Sequence, residues 1–321
     1  MLWKGLGGAL LGAWALWSTG AIVLGGSGPS GLRLLTLLVL WGLVIGVGAV
    51  WRRSVEETTG AVVLVCILAT SFFFALRPLH GLDWMEDQER LPSVSVDGDV
   101  ITIDNYRQFR YRSEFDWDAH WSTQTFRFSE LVGADMGIEQ FASLEAIAHT
   151  FVSFRFEDGR VLVASIEIRK EKGEDFSPIK GLFRQYERMV VLGDERDMVE
   201  LRAIHREDTV YLHPVDVSAE YTEAFLRSIL EDAQTIEAKP VFYNTLTASC
   251  STSLAKHIRA VGPVGWDYRM ALPGYVDVIA WELGWFGEEP LDVLRDRHTI
   301  NERAVLAAGQ DDFSMLIRAQ R

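Results

Sequence analysis

A chain of 321 residues with 45 acidic and 31 basic side chains, a net charge of −14 and a mean hydropathy of +0.08 is long enough for one domain of ordinary size plus extra segments. Five of the 31 basic and two of the 45 acidic residues lie before position 80, so the remainder carries −17, which excludes it as a nucleic-acid binder. The two cysteines, Cys66 and Cys250, exclude a disulfide framework.

The hydrophobic excess sits at the N-terminus. Three apolar runs, Gly5–Gly25, Leu34–Trp51 and Gly60–Leu76, each approach the about 20 residues that cross a bilayer core. They predict three transmembrane helices and a membrane anchor over 1–79. A signal peptide is the alternative for the first run; Lys4 as its sole early charge and the two runs behind it argue against cleavage. Lys4 and the Arg52–Arg53 pair belong on the cytoplasmic side, which puts residues 80–321 outside. The expected localisation is a bacterial inner membrane, multi-pass, with a C-terminal domain in the periplasm. Cys66 then lies within a span, and an unpaired Cys250 in an oxidising space is either buried or used.

Beyond a connector, DWMEDQERLP, the stretch SVSVDGDVITI alternates as a hairpin about Asp97–Gly98. An aromatic segment from Tyr106 to Phe128 reads as core and sheet surface, or alternatively as an acyl-chain groove. The clearest hairpin is HTFVSFRFEDGRVLVASIEIR, residues 149–169. A two-residue turn at Asp158–Gly159 sets His149 opposite Ile168; a three-residue loop sets it opposite Glu167, with both side chains on one face. Runs around Met189–Leu192, Met198–Ile204 and Val210–Leu212 predict three more strands of a mainly antiparallel sheet. A helix from Ser218 to about Ile236 follows, then one that begins at Ser249 or Cys250, one through Val276 and Trp281, and a polar C-terminal helix. The expected class is α+β, with one outer domain over 80–321.

Cys250 at a helix start is placed for a thiolate, because unpaired N–H groups and the helix dipole favour the anion. A buried packing cysteine is the alternative. A nucleophile needs a base in hydrogen-bond reach and an orienting group behind it. His257 follows on the same helix face but about 10 Å up the axis, too far for proton transfer. His149, at a strand start, fits better, although a solitary histidine there also fits a core; His205, His213 and His120 are weaker candidates. No HExxH, CxxC or glycine-rich phosphate loop is present, so no metal or other cofactor is expected.

The segments AIAHTFVSF, IEIRKEKGE, GLFRQYE, DERD and YNTLTASCST occur in this order. With them the chain resembles the bacterial Lnb N-terminal periplasmic domain family, membrane-linked proteins related to lipoprotein N-acyltransferases, from DWMEDQERLP through LPGYVD to FSMLIR. The resemblance implies a permuted papain-like thiol enzyme in which the histidine strand precedes the cysteine helix, as His149 precedes Cys250. By position it implies Cys250 as nucleophile, His149 as base and Glu167 as the orienting residue, although a shifted register would put Ser165 or a backbone group there. It further implies a substrate pocket shaped by Tyr243, Asn244, Thr245 and Ser251. Where the family often has two asparagines before the cysteine, this chain has Ala248–Ser249, which leaves backbone N–H groups as the expected oxyanion donors. The implied reaction is transfer of a lipid acyl chain to a lipoprotein amine through acyl-Cys250, with a lipid bilayer and a phospholipid or lipoprotein substrate as partners. A cysteine peptidase or amidase acting on envelope peptides, and a non-catalytic envelope scaffold, are the competing readings.

Overall fold

A computed structural model describes residues 2–26, 33–42 and 55–319. They form two compact units, Met1–Leu82 with Glu174–Glu187 and Val241–Thr245, and Asp83–Gly173 with Arg188–Pro240 and Leu246–Arg321.

The first unit is built on helices α1 (Leu2–Leu24) and α2 (Val55–Ala75). Trp14 Nε1 donates to Thr70 Oγ1 at 3.1 Å, and Trp17 stands edge-on to Phe73 with ring centroids 5.0 Å apart. A short helix, α3 (Pro178–Gly181), is capped by Ser177. The expected three-span anchor is corrected here, and with it the multi-pass placement: among the described residues no helix is long and apolar enough to cross a membrane. In α2 the apolar run is Gly60–Ala75, about 24 Å of helix at 1.5 Å per residue, against a hydrocarbon core of roughly 30 Å. In α1 glycines at 5, 7, 8, 12 and 20 and the Ser18–Thr19 pair dilute the aliphatic side chains. Of the expected span Leu34–Trp51, the described residues 34–42 are helical and 43–51 lie outside the described residues.

The second unit is α+β. Its strands are β1 (Ser93–Asp97), β2 (Val100–Arg107), β3 (Arg110–Ser113), β4 (Asp116–Asp118), β5 (Trp121–Arg127), β6 (Leu131–Gln140), β7 (His149–Phe156), β8 (Val161–Arg169), β9 (Glu187–Asp194) and β10 (Thr209–Val215). Eight of them form one sheet in the order β1-β2-β9-β8-β7-β6-β10, with β5 also on β2, while β3 and β4 make a separate ribbon. The sheet is mixed, which corrects the papain-like antiparallel sheet that was expected. β2 and β9 pair in parallel at Arg107–Gly193, because the chain crosses over through β5 to β8 before β9 returns to the side of β2.

The 149–169 hairpin takes the longer loop. Phe151 pairs with Ser165 and Arg155 with Val161, leaving Glu157–Asp158–Gly159 at the tip. Gly159 has φ +84°, the left-handed position that a three-residue hairpin loop requires of its last residue.

Side chains alternate along β7, so the sheet has two covered faces. On one, Phe151, Val163, Met189, Val191 and Leu212 pack with Met198 and Ala203 and with Ala304 and Phe313 from the C-terminal segment. On the other, Phe154 meets Phe225 of helix α5 (Ala219–Ala238), ring centroids 5.8 Å apart. Each such fully buried ring or aliphatic side chain stabilises the fold by about 1.5–3 kcal/mol. The expected strand Met198–Ile204 is corrected to a helix, α4 (Glu195–Glu200), continued by a π turn, Leu201–His205. Asp194 dictates the change: its carboxylate accepts from Asp197 N at 2.7 Å and caps the helix, and helical turns then send Met198, Val199 and Ala203 to the core. After α5 come α6 (Cys250–Val261), α7 (Val276–Glu282) and three short helices, α8 (Leu291–His298), α9 (Asn301–Ala307) and α10 (Phe313–Leu316), in place of a single C-terminal helix.

Candidate active site

β6, β7 and β8 lie side by side, and their register sets one row of polar side chains on a single face. Glu139 pairs with His149 across β6 and β7. The pairing of Phe151 with Ser165, continued by two places, sets Glu167 opposite His149 on the other side. The next row holds Gly137, Phe151 and Ser165. Gly137 is required there, because a Cβ at that position would come within 2.2 Å of the Phe151 ring.

Over this face lies the side chain of Arg202, from the π turn. Its guanidinium carbon stands 5.6 Å from the Phe151 ring centroid, Nε donates to Glu139 Oε2 at 2.8 Å, and Nη2 donates to Glu167 Oε1 at 2.8 Å. Arg206 adds a contact to Glu139 Oε1 at 3.2 Å. Burial alone would raise the Glu167 carboxyl, but the charge of Arg202, followed by that of His149, holds it far below the usual carboxylate range. Glu139 is likewise lowered against its burial, first by Arg202.

His149 does not bond Glu167 directly. Its Nε2 is 2.7 Å from Ser165 Oγ and 3.7 Å from Glu167 Oε1, and the Ser165 hydroxyl donates to Glu167 Oε1 at 2.9 Å. Ser165 thus occupies the place expected of Glu167.

Helix α6 delivers the sulfur. Ser249 and Thr252 form a capping box, with Ser249 N donating to Thr252 Oγ1 at 2.8 Å, so Cys250 becomes the first helical residue. Its side chain is buried and lies beside His149 and the main chain of Thr150, the groups that dominate its ionisation. Burial pushes the thiol up, but the charge of His149 and the Thr150 N–H outweigh it, and the group ends below its ordinary value. For His149 burial acts downward, the sulfur anion and then Glu167 act upward, and the result is above 6.5. The two shifts belong to one coupled pair, in which each group favours the charged form of the other. The buried Thr150 hydroxyl adds to the lowering of the thiol.

Two apolar clefts flank α6. One, about 510 Å³ with its mouth included, is bounded by Met136, Thr150, Val152, Val215, Phe225 and Leu254. The other, about 320 Å³, is bounded by Ser251, Ala255, Val264, Met270 and Ile279, and both share Met136, Ile258, Val276 and Trp285. Ser251, one of the expected pocket residues, is therefore on a cleft wall, with Oγ 3.4 Å from Ser249 Oγ. The other three expected pocket residues belong to the first unit. There Tyr243 N donates to Tyr186 O at 2.9 Å, Thr245 Oγ1 donates to Pro178 O at 2.6 Å, and Asn244 lies between them.

His257 and His213 are engaged elsewhere. His257 Nδ1 is 2.8 Å from Ser228 Oγ, and its Nε2 is 3.4 Å from Asp232 Oδ2. His213 lies inside β10 with Nδ1 2.9 Å from His298 Nδ1, and burial, followed by the His298 charge, pushes its pKa down to about 3. His205 ends the π turn and His120 precedes β5.

Sequence reasoning missed Arg202 and Glu139. The available signal was an arginine inside the apolar run MVELRAI, a position that a buried charge holds only when paired.

A family model, the Lnb N-terminal periplasmic domain, matches residues 117–278, a span that contains Glu139, His149, Ser165, Glu167, Arg202 and Cys250. No curated protein and no solved structure matches the chain.

Proposed function

The chain belongs to the Lnb N-terminal periplasmic domain family, and on that premise we propose that it is a thiol-dependent acyltransferase working in the periplasm at a lipid surface. The observation that carries the reading is the buried Cys250–His149 pair at the N-terminus of α6, with the thiol below and the histidine above their ordinary pKa values. The Cys250 thiolate attacks the ester carbonyl of a phospholipid or lipoprotein, and a C–S bond forms. Negative charge moves to the carbonyl oxygen, where the unpaired N–H groups at the start of α6 meet it. As the C–O bond breaks, the leaving alcohol takes the proton from the His149 imidazolium, which leaves a thioester on Cys250 and a neutral histidine. An incoming lipoprotein amine then loses its proton to His149 and attacks the thioester, and the thiolate departs. A positioned base of this kind contributes about 10²- to 10⁴-fold.

The two clefts favour a fatty acyl group over a peptide. Their linings are almost wholly apolar, and each methylene that they take from water stabilises the complex by about 0.8 kcal/mol. Such walls leave the amides of an extended peptide unsatisfied. The test is intact-mass analysis of the purified full chain after incubation with phospholipid vesicles. The expected result is a fatty acyl adduct on Cys250 that hydroxylamine releases and that a Cys250→Ser chain never forms. No adduct together with cleavage of a muropeptide would replace this reading by the peptidase one, and neither reaction would leave the scaffold.

A further inference from the structure

We propose that Ser165, and not an acidic side chain, is the residue that directly positions His149, with Glu167 and Arg202 joined to the histidine by hydrogen bonds only through it. The inference rests on the reading of Cys250 and His149 as nucleophile and base.

Ser165 is fully buried, and its hydroxyl has one proton and two partners, Glu167 Oε1 at 2.9 Å and His149 Nε2 at 2.7 Å. An ionised carboxylate can only accept, so the hydroxyl proton points at Glu167 and an oxygen lone pair faces the ring. His149 therefore carries its neutral-state proton on Nε2. Nδ1 is left with its lone pair for the sulfur, which is the tautomer that a general base needs. When the thiol ionises, the S–H bond breaks and the proton joins Nδ1; the Nε2–H and Ser165 O–H bonds stay as they were. The positive charge that appears on the ring is met by a hydroxyl already polarised by the carboxylate behind it.

Glu167 is prevented from taking the direct role. Arg202 Nη2 holds Oε1 at 2.8 Å, and Arg202 is itself fixed by Glu139 at 2.8 Å and by the Phe151 ring. The carboxylate oxygen is thereby tethered 3.7 Å from Nε2, beyond hydrogen-bond range. A histidine bonded to serine is held less firmly as a cation than one bonded to a carboxylate, so it returns its proton to a leaving group more readily. The charged groups around the ring are Cys250 of α6, Glu139 of β6, Glu167 of β8, Arg202 of the π turn and Arg206 just beyond it, with Arg107 of β2 acting on Glu167.

The test is the rate of Cys250 alkylation by iodoacetamide across pH in the full chain, corrected for Cys66 with the Cys250→Ser chain. Ser165→Ala deletes one buried oxygen and leaves Nε2–H without its acceptor. It should raise the alkylation midpoint by about one pH unit, hence slow alkylation about tenfold on the acid side. A folded Ser165→Ala chain with the wild-type midpoint overturns the role of Ser165 while leaving the nucleophile intact. A wild-type midpoint in the ordinary thiol range instead defeats the underlying reading. Nitrogen NMR of the His149 ring in the Cys250→Ser chain, where no sulfur anion faces the ring, is independent of how the Ser165 variant folds. A neutral ring protonated on Nε2 is the expected result, and one protonated on Nδ1 overturns the proposal.

Discussion

Two groups in the second unit have the same ingredients, a histidine, a serine, a carboxylate and an arginine, and differ in what is left over. At the candidate site His149 meets Ser165, Ser165 meets Glu167, and Glu167 meets Arg202. Between α5 and α6, His257 meets Ser228 at one ring nitrogen and approaches Asp232 at the other, and Asp232 takes Arg188 Nη2 at 2.7 Å. The second group faces both ring nitrogens with groups of the protein, a hydroxyl at Nδ1 and a carboxylate oxygen 3.4 Å from Nε2, and Arg188 Nη1 also ties Ser253 of α6 at 2.9 Å, so it works as a clamp on the helix. In the first group the polar chain ends on Nε2, and Cys250 lies beside the ring at the start of a helix flanked by two apolar clefts. Residue types do not separate these groups; the sulfur beside the ring does.

Removing the sulfur should give the largest effect. Cys250→Ser is expected to lower acyl transfer by on the order of 10⁴-fold or more with little change in thermal unfolding, since the two residues are near in size. His149→Gln follows at about 10²- to 10⁴-fold, read as the rate of adduct formation at neutral pH. If either variant kept its rate, the first group would be a clamp like the second.

Filling a cleft sharpens the comparison at the next level. Val215→Trp on the wall of the larger cleft should slow acylation by a long-chain donor about tenfold, yet leave iodoacetamide alkylation within about twofold. Equal losses with both reagents would mean that the wall, not the chain, had been tested. The smallest effect on rate belongs to the clamp. Asp232→Asn removes the partner of a buried arginine and should cost about 1–3 kcal/mol in urea unfolding, while acyl transfer stays within about threefold.

How much of this was legible follows from distance along the chain. The cap of α6 and the cysteine behind it are local, and Ser249, Thr252 and the apolar spacing announce them. The His149 hairpin is local too, but residues alone left two registers open, and the pairing of Arg155 with Val161 closes the choice in favour of the longer loop, with Gly159 but not Asp158 in the left-handed region that a type I′ turn requires of both. From that register the row Glu139–His149–Glu167 follows. Arg202 was hidden because its apolar neighbours read as a strand, whereas a cap at Asp194 turns them into a helix; its partners Glu139 and Glu167 stand 63 and 35 positions away. Ser165 was visible only as a consequence of register. The first and third apolar runs at the N-terminus were over-read, since run length by count ignored the glycines of α1 and took the short run from Gly60 for a full span.

The central claim is that Cys250 is an anion paired with a protonated His149. With the thiol lowered and the histidine raised, protons leave in two steps that belong to the pair. Thiolate forms as pH rises through the first step, and the imidazolium that serves the leaving group is lost through the second. Activity should therefore follow a bell, its acid limb below the ordinary thiol range and its alkaline limb above 6.5. Ultraviolet thiolate absorbance against pH tests this most directly, as the difference between the wild-type and Cys250→Ser chains. A midpoint well below the roughly 8.5 of a free cysteine, returning upward in His149→Gln, is the predicted result. A midpoint at or above that value, unmoved by His149→Gln, would contradict the account.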